Sequence, residues 1–330
     1  MSQGYWNASC VTGDGKYLGA GGDHAVLIEL SSGKVVEQLK SRVKAIGCDE
    51  TSVQVLGYDG AWRLPGKEPL APAPEPSGDV LAVTPEGAWV SWSRTVTARK
   101  WRGPAALFVT SKAETKRLEL LPALFGKVGE AKALATPDTF AVRLGTLLDD
   151  GRLLAAAGWQ PSQNGAAVEA VPWGFFAVSL ATGEATPLSL PLPSDPAINQ
   201  NWVQKIASTP DASDLVIATH DGSHLAVGQY AQGSNAATRV TKLESKGAAS
   251  AVAIALNGAR VAVGSESRGR DSPARAWVLD ETGQTVWTSQ FDKTIVGLHF
   301  LADGALVVTS AEAKAVRVSL PAGAVLWRTP

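Results

Sequence analysis

The sequence predicts an all-β fold: one domain over residues 1–330, a seven-bladed β-propeller of four-stranded antiparallel blades. Three observations carry this reading. An apolar run, a turn bearing Asp or Gly and a second apolar run of small residues recur seven times. Alternating strand pairs joined by a turn glycine follow most of these copies. Composition agrees: 33 Gly and 11 Trp among 330 residues, with 18% charged, favour sheets and tight turns over helical bundles.

The seven copies are VTGDGKYLGAGG from Val11, GCDETSVQVLGY from Gly47, VTPEGAWVSWS from Val83, LDDGRLLAAAG from Leu148, STPDASDLVIATH from Ser208, ALNGARVAVGS from Ala255 and LADGALVVTSA from Leu301. The second pattern includes VLIELSSGKVV, FFAVSLATGEA, AWVLDETGQTVW and VRVSLPAGAVLW, with turn glycines Gly33, Gly66, Gly183, Gly233, Gly283 and Gly323. Blade three has no such glycine, and its turn is expected at residues 111–114. In VRVSL, Val316, Val318 and Leu320 share one face, the period-2 signature of a strand. Each unit reads as four strands, and 330 residues over seven units is about 47 each, the size of a blade. The expected blades are 1–41, 42–76, 77–123, 124–192, 193–246, 247–291 and 292–330. The first and last both read as complete, so the pattern names no strand exchanged between the termini.

The segments GDGKYLGAGGDH (13–24), TPDASDLVIATHDG (209–222) and LADGALVVTS (301–310) resemble WD40-type and YVTN-type propeller repeats. The hairpins TGQTVW (282–287) and AGAVLW (322–327) resemble those of quinoprotein-type propellers. The resemblance spans the chain, although the Gly-His and Trp-Asp dipeptides of WD40 repeats are not in place. It implies a rigid platform for protein–protein contacts, while some propellers are enzymes, so function has to be argued from sites.

In a propeller, the loops joining second to third strands share a face with the links between blades. Three second-to-third loops are long: 93–105 in blade three, 158–175 in blade four and 265–277 in blade six. Two links are also long, 123–139 and 194–202. All five are expected on one face over blades three to six, and loops beyond the repeat's needs are where function concentrates. They hold or adjoin Trp101, Trp159, Trp173 and Trp202, with Arg94, Arg99, Lys100, Arg102, Arg268, Arg270 and Arg275. Trp and Arg are enriched at binding hot spots. These residues are the candidate partner-binding surface of a non-catalytic interaction scaffold, or a subunit of a larger assembly. The alternative is a propeller enzyme or small-ligand protein with its site at the channel mouth. Convergent carboxylates, His or Arg there would favour it; a channel of Val, Ala and Gly would count against it.

Other chemistries find little footing. Net charge is −1, with 30 basic and 31 acidic residues, which argues against a general nucleic-acid or membrane-surface binder. The basic run 94–102 is one loop in a neutral protein. Neither a GxSxG elbow nor a P-loop occurs. His220 and His224 in THDGSH are read as turn residues, as is Asp221, and no metal or cofactor is expected. Cys10 and Cys48, on inner strands of adjacent blades, are read as packing thiols. The first residues, MSQGYWNASCV, have no signal-peptide pattern, and no stretch of 18 apolar residues occurs, so a soluble cytoplasmic protein is expected.

Overall fold

A strand covered on both faces must be apolar along its whole length. The second strands of the repeat have that character: VQVLG, VAVGS and LVVTS are buried throughout. Fourth strands such as VVEQL and AVLWR are largely exposed. Blades must therefore stack face to face, with second strands inside and fourth strands at the rim.

The computed structural model has this arrangement; it describes residues 5–70, 79–84, 87–93, 101–102, 106–111, 114–120, 123–124, 139–160, 174–189, 202–234, 237–320 and 322–329. Blade one comprises β1 (Trp6–Val11), β2 (Tyr17–Gly22), β3 (Ala25–Glu29) and β4 (Val35–Leu39). Blade two is β5 (Val43–Cys48), β6 (Val53–Gly57), β7 (Ala61–Leu64) and β8 (Glu68–Pro69). Blade three is β9 (Asp79–Val83), β10 (Trp89–Ser93), β12 (Ala106–Thr110) and β13 (Thr115–Glu119), with β11 (Trp101–Arg102) arising from its long loop. Blade four is β14 (Thr139–Leu147), β15 (Leu153–Gln160), β16 (Gly174–Val178) and β17 (Ala185–Ser189). Blade five is β18 (Trp202–Ser208), β19 (Asp214–His220), β20 (His224–Ala231) and β21 (Arg239–Glu244). Blade six is β22 (Ala249–Ile254), β23 (Val261–Ser265), β24 (Ala274–Leu279) and β25 (Thr285–Phe291). Blade seven is β26 (Ile295–Phe300), β27 (Leu306–Ser310), β28 (Lys314–Ser319) and β29 (Ala324–Arg328). Each blade has four antiparallel strands in sequence order, with β11 added in parallel to the inner edge of blade four, so the fold is an all-β seven-bladed propeller. Blade three turns at Ser111, whose amide donates to Glu114 O.

Seven apolar clusters fill the seven junctions. Leu27 meets Val43 between blades one and two, and Ala45 meets Trp89 between two and three. Val90 and Phe176 join three to four, and the rings of Phe175 and Tyr230, 5.9 Å apart, join four to five. Leu225 and Trp277, then Val278 and Leu306, join the next two pairs. Trp6 and Val307 close the last junction, between seven and one.

That closure uses no exchanged strand, because β1–β4 and β26–β29 form separate sheets. Side chains clamp it instead. Near the rim, Trp327 Nε1 and Arg317 Nη1 both donate to Leu30 O, at 2.8 and 2.7 Å. Gly33 makes the indole's seat: its φ is 71°, and a Cβ there would lie 2.6 Å from the Trp327 ring. Near the axis, Ser9 Oγ lies 2.8 Å from both His299 Nε2 and Thr309 Oγ1. Burial among these strands pushes the His299 pKa down to about 4, so the ring is neutral at pH 7.

The structure corrects one expectation. Cys10 and Cys48 are bridged, with Cα atoms 5.7 Å apart across 38 residues of sequence. β1 and β5 converge on the axis, bringing the two cysteines within bridging range, a proximity with no CxxC signature in sequence. Such bonds persist in oxidising compartments; in a reducing cytoplasm the pair would stand as two thiols.

Two predictions follow from these clamps. Cys48→Ser should lower the denaturant-unfolding free energy by about 2–4 kcal/mol, and an unchanged curve would contradict a formed bridge. The unfolded chain protonates His299 below its ordinary value of 6.5, whereas the native ring resists until about pH 4. Stability should therefore fall as pH drops through that window, and His299→Gln should flatten the loss. A wild-type profile already flat there would refute a desolvated His299.

Candidate functional site

Hydrogen bonds define the loop face. In blades one, two, six and seven an amide in the second-to-third loop donates to the incoming link: Asp23 to Tyr5 O, Tyr58 to Arg42 O, Glu266 to Ala248 O and Ala311 to Thr294 O, at 2.8–3.1 Å. Loops and links thus share one face. The opposite face is built from first-hairpin turns, which also bond to each other: Asp14 N donates to Glu50 O, and Asp149 N to Pro210 O.

The expected surface residues divide into three groups. Arg94, Arg99, Lys100 and Trp173 lie outside the described residues. Trp101, Arg102, Trp159 and Trp202 are described in backbone only, within β11, β15 and β18. Arg268, Arg270 and Arg275 are described and exposed on the blade-six insertion, and Arg275 lines a groove.

That groove lies between blades five and six and encloses about 390 Å³. His224, Glu244, Lys246, Asp271, Pro273 and Arg275 line it. Its walls are held by their own hydrogen bonds. Asp221 Oδ1 accepts from the amides of Ser223 and His224 at 2.8 and 2.7 Å, so the turn is capped by a carboxylate. These bonds hold the Asp221 carboxyl below its usual range, the amide donors contributing most. Gly222 N donates to His220 Nδ1, which leaves Nε2 to donate to Ser245 O at 3.1 Å. Both His220 nitrogens are used by backbone, and the described residues contain no cluster of three metal-ligating side chains.

The blade-six insertion forms the other wall. Arg268 N donates to Ser272 O, and Ser267 Oγ to Asp292 O on the next link. Arg275 N donates to Ser265 Oγ at 2.9 Å. The insertion is therefore a braced loop that exposes three arginines, of which Arg275 lines a cavity carrying both charges. Such a groove can grip a polar segment through paired charges and hydrogen bonds.

Sequence reasoning missed two other clusters on this face. Tyr58 is 63% exposed, with Arg42 and Lys44 over its ring at 5.4 and 4.9 Å. Their closeness depends on the link and loop of blade two folding together, which no local motif signals. The second cluster lies at the channel wall. All seven inner strands carry a register slip, which falls at Asn7, Lys44, Gln204, Ser250 and Val296 in blades one, two, five, six and seven. The residue after the slip is Ala8, Ala45, Ala251 or Gly297 in four blades and Lys205 in blade five. Aligning the repeats by that slip would have exposed the exception. The inner wall also carries His299 and Arg143, so it is not a plain lining of Val, Ala and Gly.

No helix among the described residues is long and apolar enough to cross a membrane. No family model matches the chain, and no curated protein sequence does. Solved structures do match in fold. The Myceliophteria thermophila Cps50 (Swd1) β-propeller domain superposes with a TM-score of 0.57 at 12% identity, covering 95% of each chain. Kluyveromyces lactis Hsv2p gives 0.54 at 8%, covering 98% of each chain. The Dos1 propeller gives 0.53 at 8%, covering 99% of this chain and 84% of its own. At such identities the likeness is one of fold alone, and it agrees with the repeat pattern and the seven closed junctions: this chain is a seven-bladed β-propeller.

Proposed function

We propose that the protein is a non-catalytic interaction module that holds a protein partner on its loop face, at the groove between blades five and six. The observation that carries this reading is the braced blade-six insertion, which exposes Arg268 and Arg270 and sets Arg275 and Asp271 in the wall of a groove with Glu244 and Lys246. Ordering a loop costs conformational entropy, and the repeat does not require this one: the corresponding loops of blades one and two are tight turns. Prior bracing lowers what a partner must spend on ordering it. Arginines on a rigid wall offer forked donors to carboxylates, and the acidic groups between them select for a partner that carries basic residues as well. The basic blade-three loop, residues 94–102, extends the same surface in this reading.

Co-purification from the native source tests it. The triple variant Arg268→Glu, Arg270→Glu, Arg275→Glu should lose a stoichiometric partner at least about tenfold, the scale of a lost hot spot. Replacing residues 94–103 with a Gly-Ser turn should weaken the same partner. Lys16→Glu and Lys34→Glu, on the opposite face, should retain it. Equal retention by all variants would overturn the reading.

A further inference from the structure

Blade two departs from its repeat at three neighbouring positions on the loop face. The link residue ahead of its inner strand is Arg42, the residue left out of register by the slip is Lys44, and the loop residue that donates back to the link is Tyr58. Blade six has Ala248, Ser250 and Glu266 at those positions, and blade seven has Thr294, Val296 and Ala311. A blade therefore closes without a cation or an aromatic ring at any of them. The slip gives Lys44 its direction. Val43 pairs with Gly57 and Ala45 with Leu56, so Lys44 is left between them as an exposed bulge residue.

The three side chains meet. The Arg42 guanidinium lies 5.4 Å and the Lys44 ammonium 4.9 Å from the centre of the Tyr58 ring. The Tyr58 amide donates to Arg42 O at 3.1 Å, which holds loop and link together. The ring is 63% exposed, and both cations are exposed. Among the described residues neither cationic group makes a hydrogen bond or an ion pair. The neighbouring acid, Asp59, is engaged by a neutral donor instead, because Ser41 Oγ donates to its Oδ1. Lys40 adds a third exposed cation on the same link, while Ser41 and Val43, which alternate with the three, are buried.

A ring attracts a cation without neutralising it, so the charge stays available to an anion from outside. Contact with the ring also narrows the rotamers of both side chains, which lowers the cost of ordering them when that anion binds. We propose that the loop face of blade two docks an acidic segment of a partner protein, its carboxylates on Arg42 and Lys44 and an apolar side chain over Tyr58. Charge complementarity selects this occupant, since three cations suit a short run of Asp or Glu. A nucleic acid asks for a longer basic stripe, in a chain whose net charge is −1. A membrane surface asks for exposed aliphatic side chains beside the cations, whereas Val35, Val36, Val325 and Leu326 are exposed on the rim strands β4 and β29. The site is separate from the mixed-charge groove between blades five and six, and it stands whether or not that groove holds a partner.

Fluorescence anisotropy tests it, with a labelled peptide in which Asp alternates with Ser around one Phe. Wild type should bind this peptide at least about tenfold more tightly than the same peptide with Asn for Asp, and more weakly as salt rises. The double variant Arg42→Glu, Lys44→Glu should lose about tenfold in affinity, and Tyr58→Ala about threefold, with melting temperatures unchanged. The triple variant Arg268→Glu, Arg270→Glu, Arg275→Glu should bind the peptide as wild type does, so this result and the groove reading fail separately. No binding by wild type, or equal binding by the double variant, would overturn the proposal. Tighter binding of labelled oligodeoxythymidine, or of phosphatidylserine vesicles, through the same residues would overturn it in favour of a nucleic acid or a membrane.

Discussion

Everything in this molecule depends on covering both faces of every blade. The second strands are apolar throughout, so no single sheet can satisfy itself, and each must lie between two neighbours. Seven blades meet that demand only if the last returns to the first. The seventh junction is therefore of the same kind as the other six, a dry cluster around Trp6 and Val307. It needs added fastening because it joins the chain's two ends, where no covalent link holds the blades together. Leu30 O, accepting from both Arg317 and Trp327, fastens the rim; the Ser9, His299 and Thr309 set fastens the axis.

Closure explains where function can reside. With the sheet faces buried against each other, what remains for binding is the rim, the two loop faces and the channel. The turns on one face are short and capped by aspartates such as Asp14, Asp211 and Asp280, each held below its ordinary pKa, with hydrogen bonds among the causes. Length and exposed charge collect on the other face. The groove between blades five and six opens there and carries both charges.

Much of the architecture was legible because it repeats. The period-2 runs and turn glycines specify strands, and seven copies specify a ring. Arg268, Arg270 and Arg275 were legible as exposed loop positions because the blade-six loop exceeds its repeat. Contacts between distant segments were not legible. The Cys10–Cys48 bridge, the Tyr58 stack with Arg42 and Lys44, and the approach of β11 to β14 all join residues whose nearness is created by the ring. Lys205 is an intermediate case: it is visible in the sequence as a break in a small-residue position, but only once the register slips are known.

The proposed partner site is the loop face at blades five and six. Site-specific photo-cross-linking tests it most directly. A benzophenone side chain at position 270 reports on that face; one at position 256, an exposed turn residue of the same blade, reports on the opposite face. A partner captured from position 270 and not from position 256 is expected. Capture from 256 alone would contradict it.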